Sequence, residues 1–230
     1  MSLPDIHALY AATDTTWPSA SISEIGGWII KDGAGGGKRV SAAIQIDPTA
    51  NIETAETAMR TIGQDQLFQI RTGEEQLDSR LQERGYQLFD PVVLLVAPVA
   101  DLQKLNCDQL TTTPNADMIK IWADGGIGPS RLNVMARANC PKAYIHFDNK
   151  AVAYAAIHNG ICMAHAVEVS EDHRRQGLGK QIMHRVADWA NLQGAEFLAV
   201  ITVIENIAAR TLYKNLGMSE VGNYHYRIKR

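Results

Sequence analysis

Apolar runs separated by polar turns predict a group of strands in the second half of the chain. Three such runs follow one another: KAYIHF (142–147), AVAYAAIH (151–158) and ICMAHAVEV (161–169). The dipeptide Asn159-Gly160 between the last two tolerates positive φ, which favours a tight hairpin. These runs therefore predict an antiparallel meander whose last strand leads into the segment HRRQGLGKQIM at 173–183.

Helical spacing of apolar residues continues the pattern after this segment. A helix is predicted over roughly 178–193, and the fully apolar FLAVITV (197–203) predicts a strand buried on both faces. Asn206 precedes a second helical stretch, IAARTLYKNL, which ends at Gly217 before the final strand VGNYHYRIK. Two more helices are expected before the meander, around MIKIW (118–122) and RLNVMARA, the latter capped by Ser130.

The first half shows weaker patterns. GGWIIKDG (26–33) and KRVSAAIQI (38–46) predict a hairpin around a glycine-rich turn. The elements predicted after it are a helix at 53–62, a strand at 67–72, a helix at 77–86 and a strand at 91–99. This order resembles the order seen after residue 180 and suggests a degenerate structural repeat. The polar stretch at 103–117 is the expected linker, which predicts domains at 1–105 and 116–230.

Composition narrows the class of protein without naming a function. The 230 residues are 46% hydrophobic and 20% charged, as in ordinary globular proteins, and no apolar run approaches the ~20 residues of a membrane span. The net charge of −3 argues against nucleic-acid binding driven by bulk charge. Three distant cysteines without a C-x-x-C motif and an N-terminus without signal-peptide features favour a cytoplasmic location. We expect no membrane, nucleic-acid or metal partner, and a monomer or homodimer.

The segment at 173–183 carries the most specific chemistry. The first amides of a helix lack internal partners, and glycines there allow a phosphate to approach them beside Arg and Lys side chains. A dinucleotide-binding loop is excluded because the third glycine of G-x-G-x-x-G is missing, and a Walker A loop because Gln181 follows Lys180. What remains is R-x-x-G-x-G at 174–179, directly after a strand.

This pattern resembles the GNAT superfamily of acyl-CoA N-acyltransferases, whose R/Q-x-x-G-x-G/A loop binds the pyrophosphate of coenzyme A. The resemblance covers about residues 116–230. It includes the meander before the loop and, after it, the helix, the buried strand, Asn206 and LYKNLGM at 212–218. It implies an α/β GNAT fold with a mixed, mostly antiparallel central sheet flanked by helices, in which the first half is a GNAT-like unit without the loop.

The resemblance also implies roles for individual residues. Backbone groups of Val167 and Val169 would bind the pantetheine arm, Asn206 would contact the cofactor, and Tyr213 would protonate the departing thiolate. The implied pyrophosphate loop consists of Arg174, Arg175, Gln176, Gly177, Leu178, Gly179 and Lys180. Asn206 also fits a helix cap, and Tyr213 also fits the apolar core.

The base that takes the proton of the amine is less clear from the sequence. Met163 and Ile201 stand where many GNAT enzymes have a glutamate. His165 matches a histidine that serotonin N-acetyltransferase uses for this purpose, and its reference pKa near 6.5 suits the task. The period of two along a strand places His165 on the face of Val169 and Glu168 on the other face. His165 also fits a buried structural histidine.

The function expected from these features is transfer of an acetyl group from acetyl-CoA, as cosubstrate, to a primary amine of a small molecule or peptide by direct attack. The alternatives are a catalytically silent acyl-CoA-binding regulatory module and a tandem whose first half serves dimerisation. We expect the acceptor where GGIGPSR (125–131) meets the first half, with Trp28, Trp122 and Arg131 as candidate contacts.

Overall fold

Residues 2–229, the part of the chain that the computed structural model describes, form seven α-helices and eleven β-strands. The helices are α1 (Ile6–Thr16), α2 (Ile52–Thr61), α3 (Glu75–Glu83), α4 (Ala116–Asp124), α5 (Pro129–Arg137), α6 (Leu178–Leu192) and α7 (Ile207–Asn215). The strands are β1 (Ser21–Ile25), β2 (Trp28–Asp32), β3 (Ile44–Gln45), β4 (Gln66–Arg71), β5 (Gln87–Pro98), β6 (Leu110–Thr111), β7 (Lys142–Phe147), β8 (Ala151–His158), β9 (Ile161–Val169), β10 (Phe197–Val203) and β11 (Ser219–Lys229).

The elements predicted in the second half are present, with bounds that differ by a few residues at most. Asparagine side chains start two of these helices by accepting a hydrogen bond from a backbone amide: Asn115 from Met118 at 2.9 Å and Asn206 from Ala209 at 3.0 Å. The cap predicted at Ser130 was wrong. Helix α5 begins one residue earlier, at Pro129, whose fixed φ suits the first helical position.

The first half departs from its predicted hairpin. Strands β1 and β2 pair around Gly26 and Gly27, both with positive φ, whereas the sequence placed the turn in the glycine-rich stretch at 33–37. The partner strand expected at 38–46 is confined to β3, which pairs with β2. A 3₁₀ turn, Lys38–Val40, fills the start of that stretch.

A single eight-stranded sheet joins the two halves of the chain. Its order is β4-β11-β5-β10-β9-β8-β7-β6, and β1, β2 and β3 form a separate three-stranded sheet. Strand β5 from the first half pairs antiparallel with both β10 and β11, while β9 and β10 are parallel. The stretch between the halves, predicted as a linker, contributes the edge strand β6. The sheet is therefore mixed and mostly antiparallel, as expected.

Each face of this sheet is covered by helices. On one face α6 packs on a core that includes Leu95, Ala155 and Leu198. On the other face α1, α4 and α5 cover two clusters that include Leu94, Tyr154 and Tyr224. Period-two alternation along β5, with Leu94 on one face and Leu95 on the other, requires the continuous apolar run that the sequence shows there.

No helix within residues 2–229 is long and apolar enough to cross a membrane. Cys107, Cys140 and Cys162 are free thiols. Cys162 is fully buried in the core beneath α6, which raises the pKa of its thiol above the ordinary value.

Candidate active site

The two parallel strands in the middle of the sheet separate at their carboxyl ends. Pairing of β9 with β10 runs from Ile161–Phe197 to Ala164–Val200 and stops there, although β9 continues to Val169 and β10 to Val203. The resulting gap holds a cavity of about 190 Å³, which we call the fork cavity. Its lining includes His165, Val167, Thr202, Asn206 and Tyr213.

A bulge in β9 sets the direction of the side chains at this gap. The register with β8 moves from Val152–Glu168 to Tyr154–His165, so β9 has one extra residue, and Ala166 adopts a φ of 50°. Beyond the bulge Val167 and Val169 pack on the α6 face. His165 lies on the opposite face against Thr16 and Trp17 of the α1 region.

The predicted orientation of this strand is therefore wrong at one point. Counting by two placed His165 with Val169 and Glu168 opposite. The bulge reverses the relation, since the Glu168 carboxylate group lies against Gly125 at the end of α4, on the His165 side of the sheet. Burial raises the pKa of Glu168, and nearby Arg174 opposes that rise.

Trp122 anchors the bulge from α4. Its side chain is fully buried, and its indole N–H donates to the Ala166 carbonyl oxygen at 2.7 Å. Trp122 was expected to contact the acceptor, but it supports the strand behind the cavity instead. Trp28, proposed for the same role, lies in the separate core of the first half and donates to the Asn51 carbonyl oxygen at 2.9 Å.

His165 is buried, with 4% of its surface exposed, and both ring nitrogens have partners. Nε2 lies 2.8 Å from Thr16 Oγ1, whose own hydroxyl donates to the Ala12 carbonyl at 2.6 Å. Thr16 can therefore only accept from the ring, which places the proton on Nε2. Nδ1 faces Arg39 Nη1 at 3.3 Å, a long and weak contact. Burial and then the charge of Arg39 hold the pKa of His165 well below 6.5.

Tyr213 and Asn206 line the fork cavity from α7. Tyr213 is 6% exposed, and its hydroxyl has no hydrogen-bond partner within residues 2–229. Burial, together with the charge of Glu168, raises the pKa of Tyr213 to about 12, so that the phenol keeps its proton at neutral pH. Asn206 caps α7 and also borders the cavity, which makes its two predicted roles compatible.

Gly177 and Gly179, the two glycines of the loop before α6, are needed for different physical reasons. Gly177 caps the helix at a φ of 77°, a left-handed conformation that costs other residues about 1–2 kcal/mol. A Cβ on Gly179 would lie 3.1 Å from Leu212 Cδ2, so this glycine allows α6 to approach α7. The side chains of Arg175 and Lys180 are exposed beside the helix start and have no ion-pair partner among the described residues.

Backbone alternation gives β9 an open edge at the gap. The Ser170 amide donates to the Lys150 carbonyl at 2.8 Å, so the backbone groups of Ser170 face β8. Those of Val169 and Val167 consequently face the side that β10 has left. Arg174 folds back to this edge, because its Nε donates to the Val169 carbonyl oxygen at 3.2 Å.

A second cavity of about 290 Å³ adjoins the fork cavity on the α1 side; we call it the basic cavity. Arg39, His165 and Ile201 line both cavities, so the two meet at the gap between β9 and β10. Arg131, which the sequence indicated, lines the basic cavity together with Lys38 and Tyr224. This cavity lies where residues 125–131 meet the first half, the place at which the sequence predicts the acceptor.

Sequence reasoning placed the first half at this cavity but missed the residues that it contributes, Lys38 and Arg39. Arg39 Nε donates to the Tyr224 hydroxyl at 3.3 Å, and Lys38 forms an ion pair with Asp90. The adjacent cations Lys38 and Arg39 after the glycine-rich stretch are the signal that could have drawn attention to this segment. Their partners, Asp90 on β5 and Tyr224 on β11, lie far away in sequence, and no local pattern distinguishes them.

Comparison with known proteins shows the family of the chain and agrees with its fold. A family model described as "Probable histone acetyltransferase Rv0428c C-terminal" matches residues 4–227. The chain belongs to this family. It is an N-acetyltransferase of the GNAT type.

A curated relative and a solved structure match this GNAT enzyme along nearly its whole length. The uncharacterized N-acetyltransferase YobR of Bacillus subtilis is 25% identical over 247 residues, covering 99% of the chain and all of that protein. A GCN5-related N-acetyltransferase from Kribbella flavida has the same fold, with a TM-score of 0.72 at 18% identity over 99% of this chain and 96% of that one. A tandem GNAT protein from the clavulanic acid biosynthesis pathway has a TM-score of 0.60 at 8% identity, covering 88% and 77% of the two chains.

The role of the bulge in this GNAT enzyme can be tested with a matched pair of tryptophan variants. Trp122→Phe and Trp28→Phe each remove one indole N–H that donates to a backbone carbonyl, and both side chains are fully buried. Each should lower the free energy of unfolding in urea by about 1–3 kcal/mol. Only Trp122→Phe should also lower kcat well below that of the wild type, because it releases the segment that orients His165. Equal activity of the two folded variants would contradict this role.

Proposed function

We propose that the enzyme transfers an acetyl group from acetyl-CoA to a primary amine, with the thioester in the fork cavity and the amine entering from the basic cavity. The observation that carries the proposal is the junction of the two cavities at the separated ends of β9 and β10, with the unpaired Tyr213 hydroxyl on one side. Release of thiol from acetyl-CoA in the presence of a panel of amines tests it. Binding of acetyl-CoA without turnover of any amine would contradict it.

The proposed donor site uses the loop and the open strand edge. The left-handed Gly177 followed by helical Leu178 turns successive amides toward one side, an arrangement that binds anions. Arg174, Arg175, Gln176, Gly177, Leu178, Gly179 and Lys180 would surround the pyrophosphate of acetyl-CoA. Val167 and Val169 would pair with the pantetheine arm through their gap-facing backbone groups, and Asn206 would border the arm from α7.

In the proposed reaction the neutral amine attacks the thioester carbonyl carbon and forms a tetrahedral adduct. The C–S bond then breaks, and the Tyr213 hydroxyl gives its proton to the departing thiolate. Its raised pKa, about 12, keeps that proton available at neutral pH. His165 accepts the excess proton of the amine nitrogen at Nδ1, the ring nitrogen that faces Arg39 and carries no hydrogen when Nε2 donates to Thr16. The products are the N-acetyl amine and coenzyme A, after proton exchange with solvent restores both side chains.

We further propose that the two halves, 1–105 and 116–230, are GNAT-like units that have exchanged their last strands. Strand β4 pairs with β11 of the other half, β10 pairs with β5 of the other half, and β5 and β11 pair with each other. A parallel bridge, Ala43–Phe68, stands in the first half where β9 and β10 pair in the second. The tandem description of the clavulanic acid pathway protein is consistent with this proposal. The first half has IDPTAN before α2 in place of a pyrophosphate loop.

The donor loop can be tested with glycines at the two ends of α6. Gly177 and Gly194 have φ values of 77° and 75°, and no other atom lies within 4 Å of a Cβ built on either. Gly177→Ala and Gly194→Ala should therefore destabilise the fold by a similar amount, about 1–2 kcal/mol. Only Gly177→Ala should weaken acetyl-CoA binding in a calorimetric titration, by roughly tenfold, because it shifts the amides that contact the pyrophosphate. Unchanged affinity in that variant would remove the loop from the donor site.

The role of Tyr213 can be tested by its replacement with Phe. Tyr213→Phe should lower kcat about 100-fold while changing acetyl-CoA affinity little, because the hydroxyl acts only on the leaving thiolate. Tyr144→Phe is the matched control, since Tyr144 is also buried and its hydroxyl has no hydrogen-bond partner within residues 2–229. Equal kcat values for the two variants, measured by thiol release, would exclude Tyr213 as the acid.

The role of His165 can be tested through pH dependence. Its pKa is lowered, so the basic form persists below pH 6.5, and kcat at saturating substrates should fall only when the pH drops through that lowered pKa. His165→Gln retains a donor toward Thr16 but removes the base, and should lower kcat about 100-fold with loss of that acid limb. His184→Gln, which removes another buried histidine outside both cavities, should leave the profile unchanged. If His165→Gln keeps the pH dependence of kcat seen in the wild type, His165 has only a structural role.

A further inference from the structure

The basic cavity has an excess of positive charge. Its charged lining consists of Lys38, Arg39, Arg131 and one carboxylate, Asp90. Asp90 already forms an ion pair with Lys38. The guanidinium groups of Arg39 and Arg131 are therefore left without a carboxylate counter-ion in the lining. Neither Arg39 nor Arg131 has a carboxylate partner within residues 2–229. The cavity therefore presents two uncompensated cations to whatever enters it.

Partial burial of the positive charge of Arg39 costs free energy of folding. Its guanidinium group is partly buried next to Trp17, Tyr224 and His165, and its partners are the Tyr224 hydroxyl and the His165 ring, which are neutral. The carboxylate of Asp14, whose charge also acts on Arg39, is held by Lys31 and Arg71, each at 2.7 Å. A cation withdrawn from water without a counter-ion destabilises the fold unless an anion joins it.

The glycine-rich stretch at 33–37 explains how these cations are brought together. A Cβ on Gly36 would lie 2.5 Å from Val134 Cγ2, so only glycine allows the stretch to approach α5 this closely. A Cβ on Gly37, whose φ is 96°, would lie 3.6 Å from Nε and Nη2 of Arg131. The close approach therefore holds Lys38 and Arg39 of the first half beside Arg131 of the second.

We infer that the acceptor is a small primary amine that also carries an anionic group, such as a carboxylate, which Arg131 and Arg39 bind in the basic cavity. This inference rests on the proposed function, because it takes the basic cavity as the acceptor site. Arg131 lines only the basic cavity, whereas Arg39 also lines the fork cavity. The anionic group lies toward Arg131 and the amine toward the fork. The cavity of about 290 Å³ suits a molecule of roughly amino-acid size, and Trp17 and Tyr224 offer it an apolar wall.

The same charge disfavours other classes of acceptor. A polyamine or a lysine-rich peptide brings several ammonium groups to a site without a free carboxylate in its lining. For an anionic amine, the cations attract the molecule and also favour the neutral, nucleophilic form of its amine.

The test compares acceptors that differ in one charge. Phenylalanine and phenylalaninamide share their amine and apolar side chain. The amide has the less basic amine, so a larger fraction of it is neutral and nucleophilic, and it reacts faster unless the enzyme recognises the carboxylate. The wild type should show a kcat/KM for phenylalanine at least tenfold above that for the amide. 2-Aminoethylphosphonate and glycine separate a phosphonate from a carboxylate preference, and a lysine-rich peptide represents the cationic class.

The matched variants are Arg131→Gln and Arg60→Gln. Arg60 is an exposed arginine whose side chain contacts Thr57 of its own helix, and it belongs to neither cavity lining. Arg131→Gln should lower kcat/KM for phenylalanine roughly tenfold or more and leave that for phenylalaninamide within about twofold. Arg60→Gln should change neither. A wild-type preference for the amide or the peptide, or an equal effect of Arg131→Gln on acid and amide, would overturn the inference while leaving acetyl transfer intact.

An equilibrium measurement keeps the inference testable without turnover. N-acetylphenylalanine and its carboxamide represent the two products, and calorimetric titration measures their binding to the protein directly. The wild type should bind the acid at least tenfold more tightly, and Arg131→Gln should abolish that difference. Equal binding of acid and carboxamide would refute anion recognition. Absence of thiol release with every amine would instead refute the proposed function.

Discussion

The separation of β9 from β10 after Ala164 and Val200 is the constraint on which the site depends. Backbone groups inside a sheet normally satisfy one another, and a strand that loses its neighbour must bind something else. The chain meets this requirement on β9 with a bulge, an indole donor from Trp122 and an arginine side chain on the Val169 carbonyl. The remaining space connects the two faces of the sheet. The two cavities open on opposite faces and meet at one point, where Arg39, His165 and Ile201 line both.

The two faces of the junction draw on different parts of the chain. The loop before α6 and the residues of α7 belong to the second half, whereas Lys38 and Arg39 reach the junction from the first. In the proposed function, donor recognition therefore belongs to one half and acceptor recognition to both. The hydrogen bond between Arg39 and Tyr224 crosses this boundary, so the positive charge in the basic cavity depends on correct assembly of the sheet.

Local patterns predicted the elements of the second half and the position of its loop, because periodicity and glycine conformation are local properties. They failed at the bulge, since Ala166 adopts positive φ without the glycine that usually marks such a site. They also failed at the hairpin of the first half, where Gly26 and Gly27 form the turn and the stretch at 33–37 approaches α5 instead. The position of the Arg39 charge at the site depends on pairing between strands that are distant in sequence. A pattern within a short stretch of sequence therefore cannot predict it. The assigned roles of the site residues remain predictions.

The central position of β5 has a consequence for synthesis of the chain. Strand β5 ends at Pro98, whereas its partner β10 begins at Phe197, roughly 100 residues later. At typical rates of elongation the ribosome takes about 5–20 s to cover that distance. During this interval the apolar run from Val92 to Ala97 has neither neighbour in the sheet. Its exposed edges make the nascent chain prone to aggregation and a substrate for chaperones until the second half emerges.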